Sequence, residues 1–303
     1  MSSHEANGVE VKSPDPKRLT LQAAADSFLD GYKHSPKRTL AVHTLTLTGF
    51  QRSCEKRYLD QIDERDLLRY AHKLRTDGLS SRTVSNRYLT LRTFLKATGV
   101  TRQLPLRQRP RFVESEPETY SIADLSKLFS GCNSDQHLLF EFFLKTGFRM
   151  QETMFLEWRD IDFQHQTVRV KSKPLRGFIS KAYEEREIPL EQTLGAALLL
   201  CKISQKAKPD DLVFPTKSQR ANGKMLQSLK RIAKRAGMDV EDWWLHKFRA
   251  TFATLHLRTG VDVRTLQQWV GHKDIASTMR YLKPARGERA RQRFNTTFAE
   301  LQN

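Results

Sequence analysis

Between residues 20 and 99, apolar side chains recur with the spacing of a helix face. Four sets follow it: Leu21, Ala25 and Phe28; Leu47, Phe50 and Cys54; Leu67, Ala71 and Leu74; and Val84, Tyr88, Leu91 and Leu95. The pattern predicts a small all-helical domain. Ser80 or Ser81, just after Gly78, is placed to cap the fourth helix, whose polar positions carry Arg82, Arg87, Arg92 and Lys96. The next stretch, TRQLPLRQRPRFVESEPET at 101–119, holds three prolines and a basic, then an acidic, cluster, which is the composition of a linker.

Beyond it the pattern is mixed. Helical spacing covers Ile122 to Phe129 and Gln136 to Thr146, and Thr167 to Lys171 alternates around Val168 and Val170. With Arg186 to Leu190 that alternating run reads as a β-hairpin. Helical pieces return at Lys224 to Ala236, Leu245 to Arg258, Val263 to Val270 and Ile275 to Leu282. A last amphipathic stretch, Arg289 to Leu301, carries Phe294, Phe298 and Leu301. The expected fold is mainly α with a small β-sheet: a tail at 1–19, a helical domain at 20–105, a linker at 106–118 and a mixed α+β domain at 119–303.

Charge points to a polyanionic partner. Lys and Arg number 52 against 34 Asp and Glu, a net +18. The excess is shared evenly, 20 basic against 11 acidic residues up to residue 110 and 32 against 23 beyond it, so both parts suit nucleic acid, with an anionic membrane as the second choice. No apolar run approaches the about 20 residues of a membrane span. The first twenty residues carry acids and no apolar segment, unlike a signal or transit peptide, so a cytoplasmic, nucleoid-associated location is expected. Cys54, Cys132 and Cys201 are too widely spaced for a C-x-x-C metal motif, and neither G-x-x-x-x-G-K-[ST] nor G-x-G-x-x-G occurs. No metal and no nucleotide cofactor is therefore expected.

Four separated pieces carry candidate chemistry: Thr146-Gly147-Phe148-Arg149-Met150-Gln151-Glu152; Lys173, just past the first hairpin arm; His246-Lys247-Phe248-Arg249; and Gly271-His272, with Tyr281 nine residues on. In order and spacing, and in the flanks Leu156-Glu157-Trp158-Arg159-Asp160-Ile161-Asp162 and Thr278-Met279-Arg280-Tyr281-Leu282, the chain resembles the tyrosine recombinase (phage integrase) family. The helical first part is similar to the core-binding domain of such enzymes.

The resemblance implies a site-specific recombinase that acts on duplex DNA without cofactor. Tyr281 would attack the scissile phosphate to form a 3′-phosphotyrosyl link. Arg149 and Arg249 would hold the non-bridging oxygens, as planar guanidiniums suit. His246 would accept the tyrosine proton, His272 would donate to a phosphate oxygen, and Glu152 would orient its neighbours. Lys173 would protonate the leaving 5′ oxygen, although the long stretch Pro174 to Glu185 leaves Lys171 and Lys181 open for that role. Arg82, Arg87, Arg92, Lys96 and Arg109 are the candidate contacts to the DNA backbone. The family further implies a homotetramer on paired recombination sites that works through a Holliday junction, with the segment around Phe294, Phe298 and Leu301 exchanged between protomers. The alternatives are a type IB topoisomerase and a catalytically silent DNA-binding regulator.

Overall fold

The computed structural model describes residues 18–100, 109–113, 115–180 and 185–282, and the chain divides into two units between residues 114 and 115. Residues 1–17 of the tail, Lys181 and the stripe of Phe294, Phe298 and Leu301 lie outside the described residues.

In the first unit the four predicted helices are α1 (Leu21–Asp30), α2 (Lys37–Ser53), α3 (Glu64–Thr76) and α4 (Ser81–Ala97). Their apolar sets meet in one core around Phe28, Leu47, Phe50, Leu67, Val84, Tyr88 and Leu91, with Cys54 packed at its edge. Side-chain caps fix the starts: Thr20 accepts from the Ala23 amide, Asp63 from Arg65 and Asp66, and Ser80, rather than Ser81, from Thr83. At 100° per residue, Arg82, Arg92 and Lys96 of α4 share an arc of about 80°, but Arg87 sits about 140° from Arg82. Arg87 turns instead toward the Tyr70 phenol on α3. The basic face read from the sequence therefore comprises three of the four side chains.

The second unit starts with α5 (Ile122–Ser130), α6 (Ser134–Thr146) and the short α7 (Met150–Met154), followed by strands β1 (Ile161–Asp162), β2 (Thr167–Val170) and β3 (Arg186–Pro189). Helices α8 (Gln192–Ser204), α9 (Met225–Arg235), α10 (Leu245–Thr259), α11 (Val263–Val270) and α12 (Ile275–Met279) complete it. The sheet is antiparallel in the order β1-β2-β3, with Val168 opposite both Ile161 and Ile188. Val168 and Val170 face the core, while Thr167 and Arg169 face away, as the alternation requires.

Two features differ from the sequence reading. The hairpin gains a third strand, β1, whose two residues are too few to show alternation. Helix α8 was not foreseen because it is apolar nearly all round: Leu194 and Leu198 are buried while Leu199, Leu200 and Ile203 are exposed, so no single face stands out. The first part of the long connection after β2 is folded as well. Lys173 and Phe178 pair through both backbone amides around the turn Pro174–Arg176, and the Phe178 ring stacks on Phe155 at 5.3 Å.

Helix α10 runs through the core. Phe248 lies between Tyr120 and Phe140, at 4.8 and 5.9 Å between ring centres, and Phe252 is buried against the turn that ends α6. That turn is Gly147, with φ of +63°, where a Cβ would lie 2.6 Å from Phe252 Cδ1. Among the described residues no helix is long and apolar enough to cross a membrane. Gly147→Ala combines a left-handed backbone with a core clash, and is expected to lower stability by about 2 kcal/mol. Urea unfolding followed by tryptophan fluorescence measures this, and an unchanged midpoint would show that the turn tolerates a side chain.

Candidate active site

Arg249 lies one turn into α10 and is completely buried. Its Nη1 donates to the Gly147 carbonyl at 2.8 Å, its Nη2 donates to the Val270 carbonyl, and its Nε has no hydrogen-bond partner. Both acceptors lie where helices end, α6 at Gly147 and α11 at Val270, so they present the partial negative charge of helix C-termini. Among the described residues no carboxylate is within ion-pair distance of Arg249. Burial, helped by the Arg149 charge, pushes its guanidinium down to about 9, so it remains cationic at neutral pH.

Arg149 follows the Gly147 turn and caps α7. Its Nη2 donates to the Gly271 carbonyl at 3.1 Å, and its Nη1 to Glu152 Oε1 at 2.8 Å. The helix it opens has five residues, and the Arg149 amide is already taken by Glu152 Oε2 at 2.7 Å. A helix N-terminus therefore adds little positive charge here.

Glu152 is buried between two guanidiniums. Arg186, from the start of β3, meets it with both fork nitrogens, Nη1 to Oε1 at 2.9 Å and Nη2 to Oε2 at 2.6 Å. Burial works to raise the carboxyl, but the Arg186 hydrogen bonds and the charges of Arg186 and Arg149 prevail and hold it at about 2.

The two histidines are neutral at pH 7. His246 precedes Arg249 by one turn on α10. Lost hydration, with the charges of Arg249, Arg149 and Arg280, takes its imidazole down to about 4, although the residue reaches solvent. His272 follows the left-handed turn at Gly271, where φ is +58°. Its Nδ1 is 2.9 Å from the Thr278 hydroxyl, and burial with the charges of Arg249 and Arg149 takes it to about 3. Tyr281, just beyond α12, is 6 % exposed, and its ring is nearly parallel to His272 with centres 6.0 Å apart.

The structure thus brings together Arg149, Glu152, His246, Arg249, His272 and Tyr281. Lys173 is held elsewhere. Its buried ammonium lies 2.7 Å from Asp160 Oδ1 and 2.9 Å from Glu157 Oε2, and Arg159 and Arg176 bind the same Glu157. Burial works to raise Glu157, yet its hydrogen bonds to Lys173 and Arg176 keep it below the usual carboxylate range. None of the described contacts of Lys173 reaches the arginine and histidine group. Arg82, Arg92, Lys96 and the half-buried Arg109 belong to the first unit or its exit. The residue missed in the sequence is Arg186; the Arg-x-x-Pro-Leu run marked its strand but not its partner.

The phage integrase family model matches residues 121–288. The tyrosine recombinase XerA of Saccharolobus solfataricus is 31% identical over 204 residues, 66% of this chain and 64% of that protein. The Tn1549 transposon integrase, solved with transposon right end DNA, superposes with a TM-score of 0.71 at 18% identity over 90% of this chain and 99% of that one. A lambda integrase tetramer bound to a Holliday junction gives 0.69 at 15% identity over 90% of this chain and 80% of that one. The family match extends over more than half of the chain and includes every member of the arginine, histidine and tyrosine group. The chain belongs to the phage integrase family, the tyrosine-type site-specific recombinases.

Proposed function

We propose that this protein cuts and rejoins duplex DNA at specific sites by transesterification at the Tyr281 hydroxyl. The observation that carries the reading is Arg249, a buried cation without an acidic partner among the described residues, beside Arg149. Buried charge of one sign calls for a ligand of the other, and a phosphodiester supplies it. In the proposed reaction the two guanidiniums hold the non-bridging oxygens. The Tyr281 oxygen bonds to phosphorus and its proton passes to His246, whose ring is neutral and ready to accept it. The bond to the 5′ oxygen breaks, and a lysine protonates that oxygen. One phosphodiester is exchanged for another, so a second 5′ hydroxyl can reverse the step. His272, accepting at Nδ1 from Thr278, would carry its ring hydrogen on Nε2 for a phosphate oxygen.

Because two carboxylates hold Lys173, we assign the leaving-group proton to Lys171 or Lys181. The first unit would grip the DNA backbone through Arg82, Arg92 and Lys96 on α4. The lambda integrase tetramer on a Holliday junction supports the further proposal of a tetramer that exchanges strands through such a junction, with recombinant junctions as the product that separates it from a topoisomerase.

Incubation with nicked duplexes that span DNA next to its own gene, without metal or ATP, should give a denaturant-resistant protein–DNA adduct. Tyr281→Phe should abolish the adduct and leave DNA affinity nearly unchanged; residual adduct would remove Tyr281 from the role. Arg149→Ala or Arg249→Ala should slow adduct formation by about 100-fold or more, the cost of losing a transition-state donor. A 5′-thio leaving group needs no proton, so it should rescue Lys171→Ala or Lys181→Ala; selective rescue of Lys173→Ala would return the acid to that residue. In the pH profile of kcat/KM, the acid limb should fall near pH 4, following His246, with no fall at the ordinary histidine value of 6.5. A limb at 6.5 would exclude the depressed base.

A further inference from the structure

Arg186 stands at a junction that the reaction scheme leaves unused. Its fork binds both oxygens of Glu152, its Nε donates to the Trp269 carbonyl at 2.8 Å, and its side chain passes under Gly271, where a Cβ would come within 2.9 Å of Arg186 Cδ. It thus ties β3 to α7, which Arg149 caps, and to the end of α11, which leads into His272. Each oxygen of Glu152 receives two donors: Arg186 and Arg149 side chains on Oε1, the Arg186 side chain and the Arg149 amide on Oε2.

Charge accounting gives this arrangement a purpose. Glu152 with Arg149 alone sums to zero, and the Arg149 guanidinium would be spent on its own neighbour. Glu152 with Arg149 and Arg186 sums to plus one. Fork-to-fork pairing is the strongest geometry for a carboxylate, and Arg186 makes it, whereas Arg149 offers Glu152 one guanidinium nitrogen and points the other to the Gly271 carbonyl.

We propose that Arg186 is a positioning residue for DNA cleavage: it neutralises Glu152, so that Arg149 keeps its charge and its orientation for the scissile phosphate. The inference rests on the proposed function, and the adduct formed by the unsubstituted protein tests that function separately. If no Tyr281-dependent adduct forms, the function itself is overturned; if it forms, the Arg186 variants decide the rest.

Adduct formation on the same nicked duplexes is measured beside duplex affinity and thermal melting. Arg186→Gln is expected to cleave at least about tenfold more slowly with affinity within about threefold, since a transition-state contact is weakened. Arg186→Lys keeps the charge but loses the fork, so it should recover part of the rate and fall between Arg186→Gln and the unsubstituted protein. The diagnostic is the second substitution: Glu152→Gln removes the carboxylate that Arg186 neutralises, so it should speed cleavage in the Arg186→Gln background while slowing it in the natural one. A merely structural arginine would give losses that accumulate. Should Arg186→Gln fail to fold, the double variant, which buries no unpaired carboxylate, carries the test. It should cleave within about tenfold of Glu152→Gln alone. The proposal is overturned if Arg186→Gln cleaves at the unsubstituted rate, if Arg186→Lys is as slow as Arg186→Gln, or if Glu152→Gln slows the Arg186→Gln protein further.

Discussion

The burial of Arg249 without an acid beside it among the described residues is the constraint from which the rest of the second unit follows. A guanidinium taken out of water must regain its hydrogen bonds, and a carboxylate would regain them at the cost of the charge. The fold uses backbone carbonyls instead, at the end of α6 and the end of α11. Helix ends supply oxygen atoms with no partner inside their own helix, together with partial negative charge, so they solvate the cation without cancelling it. Two helices must therefore stop against one side chain. Gly147 and Gly271, both in the left-handed region, make those stops possible and set Arg149 and His272 just beyond them.

Two clusters of acids and bases in this unit show how partner number separates a ligand site from a scaffold. Around Glu157, Asp160 and Asp210, the cations Lys173, Arg159 and Arg176 have carboxylates within 2.9 Å, three against three, and are satisfied by them. Around Glu152 there are two guanidiniums for one carboxylate, and Arg249 close by adds a third cation. The first cluster locks the Pro174–Arg176 turn to the segment before β1. The second keeps a surplus of positive charge that adds to the effect of burial in depressing both histidines and leaves them as neutral bases and donors.

What could be read along the chain was whatever depends on local spacing. The four helices of the first unit were legible because each has one apolar face, and the β2–β3 pair because its residues alternate. Tyr281, His246 and Arg249 were legible because their types and separations recur as a motif. Helix α8 was hidden by apolar residues on every side, β1 by its two-residue length, and the departure of Arg87 from the basic face by helical phase, which a list of charges does not show.

The sequence by itself determined the fold class, the basic character of both parts and, Lys173 and Arg186 apart, the side chains that meet at the site, because these rest on residue type and on periodicities of a few residues. Only the tertiary structure decided how those charges are shared. Arg186 and Glu152 are 34 residues apart, and Lys173 is 13 from the Asp160 that holds it. Ion pairing falls off over a few ångströms in space and carries no signature along the chain. Which cation is neutralised, and which is left for a phosphate, therefore emerges only when distant segments are packed against one another.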